Sequence, residues 1–210
     1  MPSSTGSKSI QPAAPASERQ QWERYVFKPN VMPGPPVEEH NELIEVGAIT
    51  VGIEYRLTGG DIGKAAFGEE YYGKVKAKGG FSGADGGVTL HVYGNDGGKL
   101  TEHLRFDCFD ESPHYHYMNQ TKPTQELRVI HPSFHGDPLG WSLDRLRTRL
   151  PQMLAYVDAG NVAAKLDKAL LEEAMPRIAE AAYRARYHSD KGEIRRDAEA
   201  AKGMAVLTKW

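Results

Sequence analysis

The spacing of apolar residues changes period once along this 210-residue chain, and that change sets the order of its secondary structure. Ile49, Val51, Ile53, Tyr55 and Leu57 alternate with Thr50, Gly52, Glu54 and Arg56, a period of two that predicts a half-buried strand. Val88, Leu90 and Val92 alternate in the same way with Thr89, His91 and Tyr93. After Asn95-Asp96-Gly97-Gly98, a further run sets Leu104, Phe106 and Cys108 against His103, Arg105 and Asp107, and the pair predicts a hairpin. Beyond His135 the texture becomes helical. Leu143, Leu146, Leu150, Leu154 and Val157 recur at helical spacing, with Ser142 as the expected cap, Gly160 as the expected terminator and Pro151 as a kink or restart. Asn161 is expected to cap a stretch carrying Val162, Leu166, Leu170 and Ala174, which Pro176 kinks or divides. Strands first and helices after indicate an α+β fold: an N-terminal antiparallel, hairpin-rich β-sheet, open or barrel-like, followed by a C-terminal helical segment.

Residues 1–40 are rich in Ser, Pro, Ala and Gln and include Pro33-Gly34-Pro35-Pro36. Such a stretch buries too little apolar surface to fold alone, so it reads as a flexible arm, with Trp22, Tyr25, Val26 and Phe27 as a knot for docking. Residues 41–135 form the expected antiparallel β domain, and residues 136–210 a helical segment packing on the sheet or on a partner. Within the β domain, Lys74, Lys76 and Lys78 alternate with Val75 and Ala77 as a lysine-protected edge strand would. The apolar end, Met204 to Leu207 and Trp210, is expected to dock.

Several function classes lose support. No run approaches the roughly 18 to 20 apolar residues of a membrane span, and the N-terminus lacks a charged region followed by an apolar stretch. A single cysteine, Cys108, allows no intramolecular disulfide and alternates with the core set, which points to a cytoplasmic protein with a small buried thiol. The balance of 26 Lys+Arg against 28 Asp+Glu supplies no global field for a polyanion, so nucleic acid is a disfavoured partner. Gly59 to Lys64 lacks the spacing of a phosphate loop, and no dinucleotide fingerprint occurs, so no nucleotide cofactor is expected. Arg145, Arg147 and Arg149, with Arg128 before them, can hold an anionic partner or form a solvated face.

Six of the eight histidines, His91, His103, His114, His116, His131 and His135, fall between Gly87 and Gly136. Strand parity requires Val88, Leu90 and Val92 to share a face with Leu104, Phe106 and Cys108. A three-residue loop at Asp96 to Gly98 then sets His91 opposite His103. A four-residue turn at Asp110 to Pro113 sets Phe109 opposite His114 and Asp107 opposite His116. One polar face would carry His91, His103, His114 and His116 as a ligand pool for a divalent Zn, Fe or Ni ion. Asp107 would be a ligand or orienting carboxylate, and Tyr115 or Tyr117 a proton donor. The same residues also suit a polar face that is solvated or touches another subunit. His131 and His135, in the loop between sheet and helices, are candidates for a general base or a further ligand. Ser133 between them lacks the surroundings of an activated nucleophile.

The leading expectation is a small soluble metal-dependent enzyme of hydrolase, lyase or oxygenase type acting on a small molecule. An alternative is a non-catalytic accessory subunit of a larger enzyme complex, assembled through the N-terminal arm; an oligomer is expected in either case. The order Arg105-Phe106-Asp107, then Pro113-His114-Tyr115-His116, resembles motifs in small β-rich toxin-like proteins of bacterial toxin–antitoxin systems. The likeness covers about a dozen residues and implies a third expectation, a toxin-like ribonuclease.

Overall fold

A computed structural model describes residues 26–29, 32–36, 41–58, 70, 73, 85–96 and 98–188. The expected lysine edge strand, the Gly59 to Lys64 segment, Trp22, Tyr25 and the apolar C-terminal end lie outside these residues. The alternating segments form strands: β1 (Val26–Phe27), β2 (Glu42–Val46), β3 (Ile49–Thr58), β4 (Asp85–Asp96), β5 (Lys99–Phe109), β6 (His114–Asn119) and β7 (Thr124–Val129). They make one antiparallel sheet in the order β1-β7-β6-β5-β4-β3-β2. The sheet is open, with β1 and β2 at its edges, so the barrel-like form is not adopted.

The helices are α1 (Pro132–His135), α2 (Pro138–Tyr156), α3 (Gly160–Lys165) and α4 (Lys168–His188). α2 crosses β5, and α4 crosses β2, β3 and β4. Both cover the apolar face, where Ile53, Leu90, Leu104 and Phe106 meet Leu146, Leu150, Leu154 and Ile178, all buried. Burying each such side chain contributes about 1.5–3 kcal/mol, so the sheet and helices form one core.

Three helix boundaries differ from the sequence expectation. Asp137, not Ser142, caps α2: its Oδ2 accepts from the Gly140 N–H at 2.7 Å, and Pro138 occupies the first turn, where its missing N–H costs nothing. Ser142 is fully buried, its hydroxyl 3.4 Å from the Cys108 sulfur. The left-handed residue after α2 is Asp158, at φ +60°, while Gly160 opens α3, whose cap position is Ala159 rather than Asn161. α2 continues through Pro151 and α4 through Pro176.

The hairpin registers keep the expected parity but not the expected partners. Asp96 pairs with Lys99, so the β4–β5 loop has two residues rather than three. Alone, that change would turn every later side chain to the wrong face. A β-bulge between Val92 and Tyr93 corrects it: Tyr93 pairs with Glu102, Val92 with Leu104, and His103 is the extra residue. His91 therefore faces Arg105, not His103. The bulge also swings His103 toward the helical side. A Cβ on Gly94 would come within 2.9 Å of His103 Nε2 and 2.8 Å of Val162 on α3, so glycine is required where these groups close on the backbone. In the next hairpin Asp107 faces His114 and Arg105 faces His116, two positions from the expected pairing and with the same parity.

Candidate metal centre

The face of the sheet turned away from the helices is polar yet buried. β4 supplies Thr89 and His91, β5 supplies Arg105 and Asp107, β6 supplies His116, and β3 supplies Glu54 and Arg56. Part of the proline-rich arm lies on this layer. Arg105 Nη1 donates to the Gly34 carbonyl at 2.7 Å and Arg56 Nη2 to the Pro35 carbonyl at 3.2 Å.

Asp107, His114 and His116 converge on this face, with one ligand atom from each lying within 4.8 Å of the others. The group could hold a metal ion. Thr89 Oγ1 donates to Asp107 Oδ1 at 2.7 Å, which leaves Oδ2 to face the imidazoles. His114 Nδ1 donates to the Ser112 carbonyl at 2.6 Å, and His116 Nδ1 donates to Gln125 Oε1, also at 2.6 Å. Each ring then presents Nε2 to the same oxygen, Asp107 Oδ2, at 3.4 Å from His114 and 3.0 Å from His116. These separations match the edges of roughly 3.0 Å (octahedral) to roughly 3.4 Å (tetrahedral) between ligands held about 2.1 Å from a metal. The rings of His114 and His116 meet edge to face, centroids 4.8 Å apart.

Burial by itself would raise the Asp107 carboxyl pKa. With the imidazoles protonated, the hydrogen bond from His116 and the charges of His114, His116 and Arg105 outweigh it and hold the group well below the usual carboxylate range. Burial, with the neighbouring His116 charge, lowers the His114 pKa against the pull of Asp107. A neutral His114 whose one proton is on Nδ1 aims a bare nitrogen lone pair at a carboxylate oxygen, an arrangement that a cation between them satisfies.

The other candidate residues sit elsewhere. His91 donates from Nδ1 to Glu102 Oε1 at 2.5 Å and has Glu54 Oε1 3.5 Å from Nε2, in a neighbouring network. Arg105 completes it by gripping both Glu102 oxygens, at 2.8 and 2.6 Å. His103 leaves the face through the bulge. Tyr115 and Tyr117 alternate with the two histidines and project to the helical side, Tyr115 against Phe106 and Trp141 and Tyr117 against Tyr156. Strand alternation thus keeps them from donating a proton at Asp107. His131 and His135 cap α1 instead: Ser133 N–H donates to His131 Nδ1 at 3.3 Å, and His131 N–H donates to His135 Nδ1 at 2.9 Å. Cys108 lies in the core, where burial pushes its thiol up to about 12.

Thr89, Gln125, Glu54 and Glu102 are additional residues of this face. Thr89 carries a signal in the β4 alternation, which puts it on the histidine side. Gln125 carries none, because its role depends on β7 pairing with β6.

An open antiparallel sheet with helices on one face and a buried carboxylate–histidine group on the other defines an α+β protein with a candidate metal centre. The chain belongs to the family described as "Domain of unknown function (DUF7700)", whose model matches residues 43–182. That span includes Asp107, His114, His116, Thr89 and Gln125, and excludes the proline-rich segment that lies over the polar face. No curated protein matches the chain, and no solved structure does.

Proposed function

We propose that this protein is a metal-dependent enzyme that binds a divalent ion through Asp107 Oδ2, His114 Nε2 and His116 Nε2 and acts on a small molecule. The observation that carries the proposal is the shared aim of two imidazoles, each anchored through Nδ1 to an oxygen, at a single carboxylate oxygen. Two histidines and one carboxylate are a donor set suited to Zn, Fe or Ni, and three protein ligands leave coordination positions open. Charge agrees with this. On the polar face the carboxylates of Glu54, Glu102 and Asp107 outnumber the guanidinium groups of Arg56 and Arg105 by one.

A bound ion there would lower the pKa of a water or polarise a substrate oxygen, the chemistry shared by hydrolases, lyases and oxygenases. The chain's own residues would position it: Thr89 orients the carboxylate, and Ser112 and Gln125 select the imidazole tautomers. The side chain of His114 is 18% exposed, against 6% for Asp107 and for His116, so access would come from its side. The ribonuclease reading draws no support from Arg105, whose guanidinium is committed to Glu102 and Gly34.

Metal analysis of protein purified without chelator tests the proposal. One ion per chain is expected in the wild type, none in Asp107→Ala or His116→Ala, and retention in His135→Ala, which lies outside the group. Metal-free wild-type protein that stays metal-free on incubation with Zn, Fe(II) and Ni salts would end it.

A further inference from the structure

α2 and β6 leave a cleft of about 340 Å³ on the helical side of the sheet, opposite the metal centre. Tyr115, Tyr117, Trp141 and Tyr156 line it, and Arg145 and Arg149 stand beside them. The rings form a continuous set: Tyr115 lies 5.4 Å from both Tyr117 and Trp141, and Tyr117 lies 4.7 Å from Tyr156, centroid to centroid. Small-molecule sites span roughly 300–1,000 Å³ and combine aromatic walls with a few polar groups. This cleft, near the lower bound, suits one or two fused rings.

Its charge is one-sided. Arg128 stacks 5.1 Å over Tyr117 but is neutralised by Glu126, to which its Nε donates at 2.6 Å. Arg145 stacks 5.4 Å over Trp141, and its ion-pair partner, Asp144 at 3.0 Å, is exposed to solvent. Arg149 is exposed and has no ion-pair partner among the described residues. Arg145 and Arg149 are four apart on α2, neighbours on one helix face and close enough to share an anion. Arg147, between them in sequence, turns instead to Glu172 at 2.8 Å. Burial raises the hydroxyl pKa of Tyr115 and of Tyr117, so both phenols stay protonated; the two hydroxyls hydrogen-bond to each other, which leaves the Tyr115 proton to donate to an anionic oxygen.

We propose that this cleft binds a small aromatic carboxylate, its ring packed among the four aromatic side chains and its carboxylate held by Arg145 and Arg149. Stacking and charge-assisted hydrogen bonds both contribute, and guanidinium is the side chain best matched to a carboxylate. The site is separate from the metal centre, because alternation along β6 sends His114 and His116 to one face and Tyr115 and Tyr117 to the other.

Titration of the full chain with benzoate, followed by protein-detected NMR, tests the proposal. Saturable binding is expected, weakened about tenfold in Arg145→Gln or Arg149→Gln and unchanged in Arg147→Gln and in His116→Ala. Thermal unfolding of each arginine variant, which should stay close to the wild type for half-buried Arg145 and for exposed Arg147 and Arg149, shows that any loss is local. Cyclohexanecarboxylate, with the charge but no π-system, should bind more weakly, and inorganic phosphate should not saturate. The proposal is overturned by absence of saturation at the solubility limit of sodium benzoate. It is equally overturned by equal affinity for cyclohexanecarboxylate or phosphate, or by unchanged benzoate affinity in the Arg145→Gln/Arg149→Gln double variant.

Discussion

Gln125 Oε1 lies 2.6 Å from His116 Nδ1, and this contact decides which nitrogen of the ring faces Asp107. A substitution at Gln125 thus acts on the metal centre without removing a ligand. Gln125→Met keeps the side-chain volume and deletes the acceptor, and it is expected to weaken metal binding by about 10- to 100-fold, the usual effect of losing an orienting partner. Competition with a chromophoric chelator measures this. An affinity equal to that of the wild type would show that the hydrogen bond does not set the tautomer. Asp107, His114 and His116 were legible in the sequence as a co-facial set through the alternation of each strand together with the even-length turn expected between β5 and β6. Gln125 was not, because no local pattern says which β7 residue lies beside His116.

At the scale of elements, turns and caps moved more than strands did. The sequence carries both Gly97 and Gly98, and either a two- or a three-residue loop can use a glycine at a left-handed position; Gly98, at φ +90°, takes it here. The shorter loop is tolerated only because the bulge at His103 restores the parity of β5, and a bulge leaves no mark in an alternating pattern. His91 and His103 were consequently read as opposed, whereas one belongs to an ion-pair network and the other approaches α3. The start of α2 follows the same logic. Ser142 has the right residue type for a cap, but Asp137-Pro138 precedes it and makes the bond. Asp137→Ala removes the acceptor of the Gly140 N–H and the partner of Arg186, 2.6 Å away. The expected loss is about 1 kcal/mol in urea unfolding. A loss below experimental error would mean that α2 does not depend on this cap.

Across the whole molecule, the sheet separates two different interiors: a hydrocarbon core under α2 and α4, and a layer of paired charges beneath residues 32–36. Arg105 and Glu102 anchor that second layer. Burial opposes ionisation of Glu102, but the Arg105 charge and the hydrogen bonds from His91 and Arg105 prevail and bring its pKa down from 4.5 to about 2. A carboxyl with a folded pKa below its unfolded value stabilises fully above the unfolded pKa, and the contribution is lost as pH falls through the folded one. The stability of the wild type relative to Glu102→Gln should therefore shrink between pH 4.5 and about 2, by roughly 3 kcal/mol in all. Urea unfolding of both proteins across this range measures the difference. A difference that is flat with pH would contradict the coupling of Glu102 to Arg105.

By itself the sequence determined the α+β order, the division of side chains between two faces, and the sharing of one strand face by His114 and His116. These follow from periods of two and 3.6, which are properties of single elements. Only the tertiary structure decided that the sheet stays open and that His91, His103, Tyr115 and Tyr117 stand apart from the group. It also decided that Pro33-Gly34-Pro35-Pro36 provides carbonyl acceptors for two buried arginines. These depend on loop length, a bulge and contacts between distant segments, whose energies are set by what each group finds opposite it and not by its neighbours in the chain.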